Sequence, residues 1–186
     1  IDEANNVLDR VRPDRTSYGF RDIMCGRPPL IAPSQLLRRD VLRELGGYPT
    51  DLYIEDWYMW LSITERGCRL AVIPDRLVLY RRHESNMSKN ASKMYECRRQ
   101  ILERFSQHPE AAIARANSAM LAAIDFSTVS KRKSLEHLVE AVSFSPRVAM
   151  EPRFAAAIMR LCTPAVVLDR LRRGRDKLRT LRSAVS

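Results

Sequence analysis

Strand patterning is scarce in this chain, and that scarcity limits its architecture more than any other feature. Only residues 69–73 and 77–81 carry short runs of strand-forming side chains, parted by the break at Pro74-Asp75. An isolated two-stranded pair is marginal in water. The pattern therefore predicts strands that must join a larger sheet, with the remaining strands supplied from outside these 186 residues.

The rest of the first 90 residues reads as short helices and turns. Residues 34–45 predict a helix, with Ser34 as N-cap and Leu36, Leu37, Val41, Leu42 and Leu45 at helical spacing. Gly46-Gly47 stops it, and Tyr48-Pro49-Thr50-Asp51 is turn chemistry. Residues 56–66 predict a second helix, with Trp57, Trp60, Leu61 and Thr64 on one face and Gly67 at its end. From residue 92 onward the pattern is helical, over 92–105, 109–126, 131–144, 151–161 and 164–181. Pro109, Pro152 and Pro164 stand near helix starts, where the missing N–H costs little. Residues 134–146 resemble the second half of a tetratricopeptide unit, but one copy is not an array. The expected organisation is a mixed segment over 1–90 and a helical extension over 91–186.

Composition narrows the function. Apolar residues are 45% and charged residues 29%, which is globular rather than disordered. The longest apolar runs, at 70–73 and 165–168, fall far short of the roughly 18 residues that span a bilayer. Cys25, Cys68, Cys97 and Cys162 form no CxxC pair, and His83, His108 and His137 do not cluster with them. A structural zinc site is therefore not expected, and the scattered thiols suit a reducing cytoplasm. The chain opens at Ile1 without an initiator Met or a signal peptide, so it reads as part of a longer protein.

Half of the net charge of +10 lies between Asp169 and Arg182, where seven basic residues face two acids. Leu168, Leu171, Leu178 and Leu181 form an apolar stripe beneath these arginines. Such a stripe can lie on an anionic membrane surface through residues 168–182, or pack on the preceding helices. Gly174 interrupts it, and both readings stand. No stacking aromatics accompany the basic residues, so nucleic acid is not an expected partner.

The chemistry-bearing segment runs from Leu42 to Asn90. Glu55 and Asp56 stand together at the mouth of a Trp-bearing helix. A carboxylate there accepts backbone N–H bonds and is favoured by the helix dipole, so a simple cap explains it as well as catalysis does. Trp57 and Trp60 are equally at home in a core, and a lone His83 after a strand is commonly an ordinary hydrogen-bonded residue.

The order of these pieces is more specific than any one of them. Leu45-Gly46-Gly47-Tyr48, Glu55-Asp56, an aromatic-rich helix, Gly67, Ile73-Pro74, Tyr80-Arg81-Arg82-His83 and a polar loop follow one another. Upstream stand Pro28-Pro29-Leu30-Ile31-Ala32-Pro33-Ser34 and then Arg38-Arg39. Over residues 22–90 this resembles the second half of family-2 glycosyltransferases with the GT-A fold. The resemblance implies an α/β fragment, the C-terminal, acceptor-side half of a GT-A nucleotide-diphospho-sugar transferase domain, followed by an all-helical extension. It implies Asp56 as catalytic base of an inverting transfer, with Glu55, Trp57 and Tyr58 around the acceptor. It also implies His83 as a ligand to a divalent Mg or Mn ion that accompanies the nucleotide. The implied partners are a nucleotide-sugar donor and a glycan or lipid-linked acceptor, at a cytoplasmic site or at the inner face of a membrane. The Asp-x-Asp motif expected of the donor half is absent from the sequence. The alternative is a helical protein-interaction module in which Glu55-Asp56 merely caps a helix.

Overall fold

The computed structural model describes residues 1–26, 28–83, 85–164, 166 and 167. Seven α-helices and one two-stranded sheet make up its main elements among those residues. Strand β1 (Ser17–Tyr18) leads into α1 (Phe20–Cys25), and α2 (Arg39–Glu44) precedes α3 (Glu55–Glu65). Strand β2 (Leu70–Ala71) returns antiparallel to β1, pairing Ser17 with Ala71 and Tyr18 with Leu70. The remaining elements are α4 (Ala91–Arg104), α5 (Ala111–Phe126), α6 (Lys131–Phe144) and α7 (Pro152–Cys162).

Local chemistry sets most of these boundaries. Helix α1 starts where the Gly19 N–H donates to Asp22 Oδ2 at 2.9 Å. Helix α2 ends because Gly46 and Gly47 both adopt positive φ, +78° and +83°, which only glycine enters at little cost. Their N–H groups then reach back to the carbonyls of Arg43 and Leu42 at 3.1 and 2.9 Å. Asn90 and Ser130 cap α4 and α6 by accepting from the Lys93 and Lys133 amides.

Helix α3 is the central element, with Met59 through Thr64 buried in an unbroken run. Two hydroxyls in that run stay satisfied by bonding back along the helix, Ser62 to Tyr58 and Thr64 to Trp60. Trp60 and Leu61 pack with Ile23 of α1 and with Cys97, Ile101 and Leu102 of α4. The helices after residue 90 therefore rest directly on the segment before it. A second cluster holds α5 and α6 together through Ala116, Ala119, Met120, Ala123, Leu138 and Ala141. Small side chains on α5 let these two helices approach closely. A buried hydroxyl at the seam, on Ser134, donates to the Ala123 carbonyl at 2.7 Å.

The architecture corrects the expected fold class. The chain is mostly helical, and its two-residue strands do not make the α/β half of a GT-A domain. Residues 69–73 shorten to β2, whose partner is β1 rather than 77–81. Residues 77–81 form no strand. Instead the Ile1 ammonium donates to the Tyr80 carbonyl and the Arg82 N–H donates to that of Ile1, at 2.9 Å each. Ile73, Leu77 and Leu79 remain 66%, 75% and 76% exposed. Strand-forming side chains become a strand only when a neighbouring strand pairs with them, and among the described residues the backbone of Ile1 alone meets this segment, at its end near Tyr80.

The helix expected over 34–45 also divides. A 3-10 turn at Ala32–Ser34 is followed by an extended stretch, and α2 begins only at Arg39. Gln35 is drawn out of helical register by two side-chain bonds described below, leaving Leu36 98% exposed. Short strand β1 and helix α1 were not expected from the sequence. The basic stripe over 168–182, and the helix expected over 164–181 beyond Val167, lie outside the described residues. Among those described, no helix is long and apolar enough to cross a membrane.

Candidate active site

Glu55 and Asp56 are the first two residues of α3, where the turn Leu52–Ile54 delivers the chain to the helix. Asp56 is half-buried. Its Oδ1 accepts the Trp57 N–H at 2.7 Å, the bond expected of a carboxylate at a helix start. Its second oxygen accepts no hydrogen bond from any other described residue. Burial pushes the Asp56 carboxyl above the usual carboxylate range, the neighbouring Glu55 charge adds to this, and the Trp57 N–H opposes it.

One turn further along the same face lies Trp60. Its Nε1 donates to Gln35 Oε1 at 2.7 Å, and Gln35 Nε2 donates to the Tyr48 hydroxyl at 2.7 Å. Tyr48 is close enough to feel both carboxylates: burial raises its phenol first, and the charges of Asp56 and Glu55 raise it further. The site thus consists of Asp56, Glu55, Tyr48, Gln35 and Trp60, drawn from α3 and from the chain on either side of α2.

The other expected site residues turn elsewhere. Successive helical residues rotate by about 100°, so three adjacent side chains cannot share one face. Trp57 points to α1, donating its Nε1–H to the Ile23 carbonyl at 3.1 Å. Tyr58 faces α4: its ring centroid lies 6.0 Å from that of Phe105, and the Arg104 guanidinium sits 5.0 Å from its centre. His83 engages its own loop, with Nδ1 2.8 Å from Ser85 Oγ and its N–H donating to Asn86 Oδ1 at 2.9 Å.

An imidazole with a hydroxyl and an amide is not a donor set that retains Mg or Mn, which favour several oxygens including carboxylates. Among the described residues no group of three or more His, Cys, Asp or Glu side chains is placed to hold a metal ion. The described residues around His83 do not by themselves make up such a donor set. Two shallow depressions mark the surface, one lined by Arg38, Arg39, Asp40, Arg43 and Glu44, the other by Tyr53, Asn86 and Lys89 among others. Asp56 walls neither of them.

Tyr48 and Gln35 escaped the sequence reading. Tyr48 was explained by the turn, and Gln35 sat inside an expected helix. Gln35 lies 13 and 25 residues from the partners that define its role, and no local pattern encodes such a pairing. No family model matches the chain, and neither the curated proteins nor the solved structures yield a match.

Proposed function

We propose that this chain carries the acceptor-activating carboxylate of an inverting glycosyl transfer, with Asp56 as the general base. The observation that carries this reading is the state of Asp56: half-buried, its carboxyl raised by burial, and with one oxygen that accepts no hydrogen bond from another described residue. The ordered motifs over residues 42–90 supply the reaction class; the two-stranded fold lends them no support. In the step itself, Asp56 takes the proton of an acceptor hydroxyl as that oxygen bonds to the anomeric carbon of a nucleotide-sugar. The bond from that carbon to the diphosphate oxygen breaks, and the nucleoside diphosphate leaves with the electron pair. Glu55 keeps the local potential negative, which favours proton uptake by its neighbour. In this reading the donor-binding groups are not among these residues, and the reaction takes place in the cytoplasm or at the inner face of a membrane, on a glycan or lipid-linked acceptor.

A second reading rests on one specific observation. The Asp56–Trp57 bond is also what a capping carboxylate makes in a helical interaction module without catalysis. Asp56→Asn in the intact enzyme separates the two, since the amide keeps the cap and loses the basicity. A general base contributes about 10²–10⁴-fold, so transfer falls by that factor while donor binding holds. Transfer within a few-fold of the starting enzyme would leave only the capping role.

A further inference from the structure

The bond from Trp60 to Gln35 has a direction that cannot be reversed, and it propagates to the surface. An indole N–H only donates, so Gln35 must turn its carbonyl oxygen to Trp60. That fixes the amide group, whose NH₂ then donates to the Tyr48 oxygen. Tyr48 therefore spends a lone pair on Gln35 and keeps its own O–H proton, for which no acceptor exists among the described residues. The phenol is partly exposed and close enough to Asp56 for that carboxylate's charge to raise it. Asp56 in turn has an uncommitted acceptor oxygen. A donor and an acceptor, each held by a half-buried neighbour, thus stand near each other without a partner in another described residue.

We propose that Tyr48 is a binding residue of the Asp56 site, held by Gln35 as an outward donor to an oxygen of the molecule whose hydroxyl meets Asp56. The inference rests on the reading of Asp56 as the base that engages that hydroxyl. It adds a selection rule. A ligand with two neighbouring oxygens, one donating to Asp56 and one accepting from Tyr48, satisfies both groups. A lone alcohol leaves the phenol unanswered. Trp60 and Gln35 take no part in the reaction and act as positioning residues that set the polarity of Tyr48.

The test is proton saturation-transfer titration of the full chain with methyl β-D-glucopyranoside as probe, comparing the unaltered protein with Tyr48→Phe, Gln35→Leu and Asp56→Asn. Each variant is first required to reproduce the amide spectrum of the fold, and Tyr48→Phe, which removes one oxygen, is the decisive one. Loss of one neutral hydrogen bond weakens binding about fivefold. The expected result is that weakening in Tyr48→Phe, and a smaller one in Gln35→Leu, where the phenol remains but is no longer oriented. Equal binding by Tyr48→Phe and the unaltered chain overturns the inference, and so does an unaltered chain that gives no saturation transfer. If Asp56→Asn weakens binding while Tyr48→Phe does not, Asp56 keeps its place in the site and Tyr48 loses its own. If Tyr48→Phe weakens binding and Asp56→Asn does not, the donor role of Tyr48 stands and the amide oxygen suffices to hold the probe, which leaves the base assignment to the transfer assay.

Discussion

Trp57 and Ile23 are joined by a single hydrogen bond, indole N–H to backbone carbonyl, 3.1 Å long. Ile23 lies near the end of α1, among the carbonyls that a helix leaves without an internal partner. The indole supplies that partner and ties α1 to α3 across the first core. A ring committed in this way stabilises the site's foundation.

Replacing Trp57 with Phe tests this tie. The aromatic packing is largely kept, while the Ile23 carbonyl loses its donor. Leaving a buried acceptor unsatisfied costs about 1–3 kcal/mol, which thermal unfolding would register as a lower midpoint. An unchanged midpoint would mean that the bond contributes nothing to the join.

Asp56 has a folded-state pKa above its unfolded value, mainly through burial. Below the unfolded value both states are protonated and the group is neutral with respect to stability. As pH rises from there through the raised folded value, the unfolded chain ionises first, and stability falls. Asp56→Asn should therefore be the more stable protein at pH 7, with the advantage shrinking as pH drops through that window. Denaturant titrations of both proteins at several pH values check it; a gap that widens toward acid would reverse the sign assigned here. The same raised value requires transfer activity to be lost as pH falls through it, because only the carboxylate is a base.

Lys131 opens α6 and reaches the far end of α7, donating to the Arg160 carbonyl and to that of Thr163 at 2.7 Å. The ammonium meets the negative end of the α7 dipole while satisfying its terminal carbonyls. Lys131→Met keeps the apolar stem and removes the donor. Hydrogen bonds to charged groups are worth about 1.5–3 kcal/mol, so α7 amides should exchange faster while those of α3 do not. Equal exchange across both helices would show that α7 is held by its packing alone.

Backbone exchange also distinguishes the two halves of the expected sheet. Leu70 and Val72 are tied to the β1 segment, whereas residues 73–79 make no ladder. Amides over 73–79 should exchange nearly as fast as in an unfolded chain, with those of α3 among the slowest. Protection of 73–79 equal to that of α3 would mean that the segment has found a partner strand.

The helices were legible where sequence and burial act over a few residues. Residues 131–144 coincide with α6, because Ser130 and Lys133 make the cap and Leu138 and Ala141 mark the buried face. Helix α3 departs from its expected start by one residue, at Glu55. The sheet was not legible, since pairing Ser17 with Ala71 joins positions far apart in sequence, and two-residue strands leave no periodic trace. At the candidate site, the position of Asp56 on a helix start followed from the Pro- and Gly-bounded turn before it. The directions of Trp57, Tyr58 and His83 did not, because each is settled by a partner on another element or in its own loop.

The uncovered run of Ile73, Leu77 and Leu79 also governs how the protein behaves in solution. Apolar groups that remain in water after folding answer to whatever strengthens their expulsion from it. Sulfate salts should drive molecules together through this segment at concentrations that leave the helical core untouched. The net charge of +10 keeps neighbouring molecules apart at low salt, and screening removes that protection first. The tendency of this chain to associate is therefore a balance between bare apolar side chains and its net positive charge, set by ionic strength before temperature.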